Sequence, residues 1–171
     1  MKNLNGIDMS VIQNLVEQYK KQPDEAVTNW SSTVKWNNGF HAQAEVRDHT
    51  PILVDEPNWL SGSNKGANPV ELLLSALGSC MSIGFIAAAS TMGIQLNSLE
   101  VEVSGDLDLK VFLGLREGNS GFDEIHAHFK VDSDGEDLQI EEIISQVMKL
   151  SPVKNSLERN VHVKSTFNHN K

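Results

Sequence analysis

The chain has 171 residues, a length typical of one domain that buries about two-thirds of its unfolded surface. Its 23 acidic and 14 basic residues give a formal net charge of -9, which argues against a nucleic-acid partner because such partners need a basic surface. One cysteine excludes an internal disulfide and a thiolate metal cluster. A free thiol and an N-terminus without an apolar signal core predict a cytoplasmic protein.

The first predicted element is an amphipathic helix over residues 8–21, with Pro23 placed to stop it. We assign residues 1–25 to an N-terminal helical extension and residues 26–171 to one domain. Asp8 or Ser10 is the expected N-cap of the helix.

A hairpin follows. Residues 27–36 alternate polar and apolar side chains, Asn-Asn-Gly at 37–39 is a turn signal, and residues 40–46 alternate again. Residues 50–54 predict a third short strand.

The next segment, residues 55–67, is rich in turn-forming residues and contains the isolated Trp59. Loops of this length inside a compact domain are often functional. The alternative is a plain connector whose tryptophan folds back on the core, and the sequence leaves both interpretations open.

The run from Asn68 to Met92 predicts one long helix. Asn68 is a good N-cap, Pro69 suits the first helical position, and Gly93 can close the helix in a left-handed conformation. No charge follows Glu71, and a helix that is apolar on every side is buried on every side. The run is also long enough to span a membrane, but four serines and a cysteine dilute it and no Lys/Arg cluster flanks it. We therefore predict the central helix of a soluble protein, with sheets around it and no membrane partner.

The C-terminal half predicts five elements, with one long interruption between the first and the second. They are a strand at 99–109, its partner at 125–131, an amphipathic helix at 140–148, a short helix starting at Ser151-Pro152 and a last strand at 161–167. The strands come in antiparallel pairs, and the helices do not alternate with them. That order is typical of the α+β class.

Three groups of residues are candidates for chemistry. Cys80 is usually an inert apolar residue in such a helix, and a reactive role needs exposure and a stabilised thiolate. His126 and His128 share the expected solvent face of a strand, and two histidines without a third ligand indicate surface residues and no metal site. Ser151 is explained by capping the helix that starts at Pro152. No cofactor motif occurs.

Three segments of the sequence resemble the OsmC/Ohr family of osmotically inducible and organic hydroperoxide resistance proteins. They are Asp-Glu-Pro at 55–57, Gly-Ala-Asn-Pro-Val-Glu-Leu-Leu-Leu-Ser-Ala-Leu-Gly-Ser-Cys at 66–80, and Ser-Pro-Val-Lys-Asn-Ser-Leu at 151–157. The resemblance implies an OsmC-like fold with antiparallel sheets wrapped around a long central helix. It also implies an intertwined homodimer with two active sites between its subunits.

The resemblance further implies a thiol peroxidase. In the better-known members, a cysteine at the position of Cys80 attacks the terminal oxygen of an alkyl hydroperoxide and becomes a sulfenic acid, which a second cysteine captures as a disulfide. Here the second position is Ser151. Oxidised Cys80 would therefore need an external thiol reductant.

The groups that polarise the thiol in the family are less well matched. The family's glutamate aligns with Val70, one residue before Glu71, and its arginine has no clear counterpart. His41 is the residue nearest to the position of the family's arginine in the hairpin, and Arg47 is the arginine nearest to that position in sequence. Fewer polarising groups predict slower turnover than in a two-cysteine relative.

Leu77, Ile83 and Phe85 surround Cys80 in sequence and predict a small apolar hydroperoxide as the substrate. The alternative is a non-catalytic binding protein that holds an apolar ligand in the pocket at the dimer interface. A third interpretation is a purely structural Cys80.

Overall fold

The computed structural model describes residues 4–169 and has the predicted α+β architecture. Its elements in chain order are α1 Met9–Lys21, β1 Thr33–Asn38, β2 His41–Glu45, β3 Ile52–Val54, α2 Pro69–Met92, β4 Leu96–Gly105, α3 Leu109–Phe112, β5 Ile125–Ser133, α4 Asp137–Leu150 and α5 Pro152–Leu157. The strands form two antiparallel sheets, one of β1, β2 and β3 and one of β4 and β5.

Helix α2 has the ends that the sequence predicts. Asn68 and Glu71 form a capping box, in which each side chain accepts the other residue's backbone N–H at 2.8 Å. Gly93 closes the helix with a φ of 77°. By length and composition alone, α2 could cross a membrane. In the fold, it packs against the β4–β5 sheet and α4.

The core of the chain lies between α2, the β4–β5 sheet and α4. Its fully buried side chains include Met81, Phe85 and Ile143, and the ring of Phe85 lies 5.9 Å from that of Phe129 on β5. This side of α2 is well packed. On another face of the same helix, Ala76, Ser79 and Ile83 stay exposed within one chain.

The N-terminal sheet has an uncovered apolar face. Cross-strand partners lie on the same face of a sheet, and the register aligns Val34 with Ala44 and Ile52 in one row and Trp36 with Ala42 in the next. Nevertheless, Trp36 is 73% exposed. An amphipathic sheet with a bare apolar face needs a cover.

The loop at 55–67 is organised by a buried carboxylate. Asp55 is 1% exposed, and its side chain accepts the backbone N–H groups of Glu56, Ser63 and Lys65 at 2.9, 3.1 and 3.2 Å. Trp59 lies exposed on the loop, so of the two interpretations that the sequence left open, the one in which it folds back on the core of its own chain is not supported.

Asp55 should make the loop acid-sensitive. Burial raises the pKa of its carboxyl, but the N–H groups of Lys65, Glu56 and Ser63 outweigh burial and hold the pKa below its ordinary value of 3.8. The resulting stability is complete above about pH 4 and is lost as the pH falls through the lowered pKa. We expect Asp55→Asn to expose the loop to protease at pH 7 and to reduce the loss of stability as the pH falls below about 4.

Limited proteolysis at pH 7 and thermal unfolding at several pH values measure these effects. Asp48→Asn, at an exposed carboxylate after β2, is the control and should behave as the unmodified protein does. Equal acid sensitivity in the two variants would contradict the assigned role.

Three predicted strands differ from the structure. The strand predicted to reach residue 109 ends at Gly105, because the Asp108 side chain accepts the N–H of Lys110 and starts the short helix α3. The strand predicted at 161–167 is wrong, since residues 160–169 have no regular structure and Val163 is almost fully exposed. The first strand starts at Thr33, not at residue 27. Alternating side chains do not make a strand where no neighbouring strand can pair.

Candidate functional site

The structure brings Cys80 and Ser151 together although 71 positions separate them in sequence. The Sγ atom of Cys80 lies 3.1 Å from the Oγ atom of Ser151, within hydrogen-bonding distance for sulfur. Cys80 is partly exposed, whereas Ser151 is only 5% exposed. The two positions that the resemblance associates with redox chemistry are thus in direct contact.

The contact follows from the packing of α2 against α4. Gly84, one turn after Cys80, faces Val147, one turn before Ser151, and a Cβ atom on Gly84 would lie 3.5 Å from a Val147 methyl group. Residues four apart lie on the same side of a helix. The two pairs therefore match an antiparallel arrangement that places the end of α4 beside Cys80.

Ser151 is also the junction between α4 and α5. Its backbone N–H donates to Val147 O at 2.9 Å at the end of α4, and its side chain accepts the N–H of Lys154 at 3.2 Å as the N-cap of α5. A hydroxyl that accepts one hydrogen bond still has its own proton to donate. Ser151 can therefore donate to the sulfur of Cys80.

Cys80 opens into an apolar cavity of about 620 Å³. That volume lies within the range of small-molecule sites in proteins. Its walls come from four helices: α1, α2, the end of α4 and the start of α5. The lining residues are Met9, Ile12, Ala76, Ser79, Cys80, Ile83, Gly84, Ala87, Ala88, Thr91, Gln146, Val147, Leu150, Ser151 and Pro152.

The other predicted site residues lie outside this cavity within the described chain. Glu71 is engaged in the capping box of α2. Arg47 is exposed in the turn after β2, at a φ of 50°. His41 lies on β2 close to Asp55, and among the described residues its buried Nε2 atom has no hydrogen-bond partner. Among the described residues, the cavity lining thus contains Cys80 and Ser151 but no Lys, Arg or His.

Sequence reasoning missed the walls that α1 and α4 contribute. Met9 and Ile12 of α1 line the cavity, as do Gln146 and Leu150 of α4. The apolar periodicity of both helices was visible in the sequence. That periodicity shows which residues share a face, but not which cavity the face meets.

His126 lies at the surface as predicted, with a mostly exposed side chain 3.9 Å from Glu124. In residues 4–169, no group of three or more His, Cys, Asp or Glu side chains could hold a metal ion.

Together, the fold and the site define an α+β protein in which a partly exposed thiol on a central helix faces an apolar cavity. The sequence pattern of the OsmC family, described as OsmC-like protein, matches residues 62–166. Because this match covers more than half of the chain, the protein belongs to the OsmC family.

Several solved structures share this fold. The OsmC-like protein from Mycoplasma pneumoniae is 26% identical, with a TM-score of 0.66 over 77% of this chain and 88% of that one. An organic hydroperoxide resistance protein OsmC from Legionella pneumophila shares the fold at 18% identity, with a TM-score of 0.57 over 81% and 96% of the two chains. An organic hydroperoxide resistance protein from Elizabethkingia anophelis does so at 16% identity, with a TM-score of 0.57 over 80% and 92%. No curated protein matches the chain.

Proposed function

We propose that the protein is a cytoplasmic homodimer that reduces small apolar organic hydroperoxides through Cys80 and is regenerated by an external thiol. The observation that carries this proposal is the 3.1 Å contact between Cys80 Sγ and Ser151 Oγ at the wall of an apolar cavity. The names of the structurally similar Legionella and Elizabethkingia proteins support the same substrate class.

In this reaction the Cys80 thiolate attacks the terminal oxygen of the hydroperoxide and the O–O bond breaks. The alkoxide leaves and takes a proton from solvent to become an alcohol, and Cys80 becomes a sulfenic acid. An external thiol attacks the sulfenic sulfur, which forms a mixed disulfide with Cys80 and releases water. A second thiol then releases the external disulfide and restores the Cys80 thiol. In this reaction the Ser151 hydroxyl, 3.1 Å from the sulfur, donates a hydrogen bond to the attacking thiolate.

The proposed homodimer accounts for two uncovered apolar surfaces. One is the face of the N-terminal sheet that carries Val34 and Trp36. The other is on α2, where Ala76, Ser79 and Ile83 are exposed within one chain. A second copy can cover both surfaces and close the open side of the cavity. It would also bring its own hairpin, so that Arg47 or His41 of the partner subunit is the proposed thiol-polarising group beside Cys80. Glu71 is a further candidate for a polarising group.

The decisive test combines purified protein with an alkyl hydroperoxide and a sulfenic-acid trap. We expect trapped sulfenic acid on Cys80 and thiol-dependent turnover. Cys80→Ser should lower turnover about a thousandfold or more, because the covalent route is lost. Ser156→Ala, on the exposed side of α5, should retain it. Sulfenic acid formation no faster than that of a free thiol would refute the proposal.

Replacing Ser151 by alanine tests the hydrogen bond to sulfur. One such bond contributes about 1 kcal/mol, so Ser151→Ala should slow the alkylation of Cys80 by iodoacetamide at pH 7 about fivefold. The matched control is Ser156→Ala, whose hydroxyl bonds only to Pro152 O. An alkylation rate unchanged in Ser151→Ala would show that Ser151 acts only as a helix cap.

The apolar lining of the cavity favours a second candidate function, a binding protein that holds an apolar ligand without redox turnover. Native mass spectrometry of protein purified under mild conditions would then show a retained ligand in the dimer. A ligand-free dimer that turns over hydroperoxide excludes this alternative.

A further inference from the structure

The side chain of Asn5, which precedes α1, is hydrogen-bonded to the C-terminal end of α2. Asn5 Nδ2 donates to Ser90 Oγ at 3.0 Å and to Ile94 O at 2.9 Å. Its Oδ1 accepts from Leu96 N at 2.8 Å and from Gln95 Nε2 at 3.0 Å. Four hydrogen bonds to α2, β4 and the turn between them fix this residue in place.

This anchor determines where α1 begins. Asn5 and Gly6 both have positive φ values, 54° and 75°, and turn the chain back on itself. Asp8 then caps α1 by accepting the N–H of Ser10 at 3.0 Å. The first turn of α1 is thus held beside the C-terminal end of α2, with Met9 only 9% exposed.

Two neighbouring residues of α1 have different surroundings. Ile12 lines the cavity that contains Cys80, as Met9 does. Val11 does not line it and is 63% exposed. Helix α1 therefore presents one edge to the cavity and leaves the rest of its surface outside.

The cavity is elongated along α2. Its lining residues on that helix run from Ala76 to Thr91, about 22 Å along the axis at 1.5 Å per residue. Cys80 lies toward one end of this groove, and the anchored start of α1 lies toward the other.

We infer that α1 is a specificity element of the Cys80 site, with Met9 and Ile12 as the wall that limits the width of an apolar ligand. The ligands it admits are slender, unbranched apolar chains, and bulky ring systems are excluded. This inference deepens the proposed function of Cys80. It concerns a segment outside the family match, which begins at residue 62.

The test compares two thiol reagents of different size on the full-length protein. Iodoacetamide is small, and N-(1-pyrenyl)maleimide carries a fused four-ring system. Ile12→Trp should slow the pyrenyl reagent about tenfold relative to iodoacetamide, and Ile12→Ala should accelerate it by a similar factor, as expected for a changed wall in an apolar pocket. Val11→Trp and Val11→Ala are the matched controls and should leave the ratio of the two rates unchanged.

The readout is alkylation of Cys80 and requires no peroxide turnover. A size-dependent effect of Ile12 that is absent at Val11 supports the wall, even if hydroperoxide is not turned over and the proposed function fails. Equal rate ratios for the Ile12 and Val11 variants overturn the inference, whether or not the protein is a peroxidase. Circular dichroism of each variant confirms that α1 is folded when the rates are compared.

Discussion

Ser151→Cys is expected to convert Cys80 from a cysteine that depends on an external thiol into one that forms an intramolecular disulfide. The Cys80 and Ser151 side-chain atoms are 3.1 Å apart, so an S–S bond of about 2.05 Å needs a movement of only about 1 Å. After one equivalent of alkyl hydroperoxide, the sulfenic acid on Cys80 should be captured by the new thiol with loss of water. The rate of hydroperoxide turnover should then rise when a dithiol reductant is added, because the dithiol reduces the disulfide.

Stability should change in the same variant. The disulfide would close a loop of 71 residues, for which the chain-entropy relation gives about 4 kcal/mol, an upper estimate. For a chain of this size, such a gain raises the Tm by about 10 °C. The first measurement is the intact mass, which should be about 2 Da lower than that of the reduced protein because disulfide formation removes both thiol hydrogens. The second is a thermal scan with and without reductant.

A cysteine elsewhere on the same helix provides the control. Ser156→Cys places a thiol on the exposed side of α5, where the Ser156 hydroxyl bonds to Pro152 O and not to Cys80. It should form no intramolecular disulfide and should not change the Tm. A Ser151→Cys variant that remains reduced after hydroperoxide treatment would contradict the geometry of the site.

The second large effect is expected from Trp36→Asp, which should dissociate the proposed dimer. Trp36 is 73% exposed in one chain, and its ring is fixed by a hydrogen bond from Nε1 to Gly39 O at 2.8 Å. A rigid, uncovered tryptophan on an apolar sheet face has the properties of an interface hot spot, worth about 2 kcal/mol or more. Since a symmetric dimer would bury two copies, the Kd should rise about a thousandfold.

Analytical ultracentrifugation across a concentration series measures this change, with twice the 18.9 kDa chain mass expected for the unmodified protein. Lys35→Ala is the control. Lys35 lies next to Trp36 on the opposite face of β1, and its exposed side chain pairs with Glu45, an interaction worth under about 1 kcal/mol. A monomer at all concentrations in the unmodified protein, or a dimer unaffected by Trp36→Asp, would refute the proposed assembly.

The elements that are determined by residues close together in sequence could be predicted. The capping box of Asn68 and Glu71 and the closing Gly93 fixed the ends of α2 to the residue, because helix termini are satisfied by neighbouring side chains. The Asn-Asn-Gly turn and the alternation around it predicted the hairpin of β1 and β2. The segment that resembles the OsmC family identified the fold, and the family match confirmed it.

Features that depend on contacts with residues farther away in the sequence could not be predicted in this way. Residues 161–167 alternate like a strand, yet no strand pairs with them in the described chain. The buried Asp55 carboxylate has an acidic sequence neighbour but takes its partners from residues up to ten positions away. The sequence left open whether Trp59 packs on the core, and the side chain is exposed in one chain.

Local sequence therefore specified the helix that carries Cys80, its two ends and the family to which it belongs. Tertiary structure alone decided that Ser151 would touch Cys80 and that α1 would form a wall of the same cavity. The physical reason is that capping and turn formation use hydrogen bonds between residues a few positions apart. A cavity is instead defined by the packing of helices whose contacts span most of the chain, and side-chain periodicity does not specify that packing.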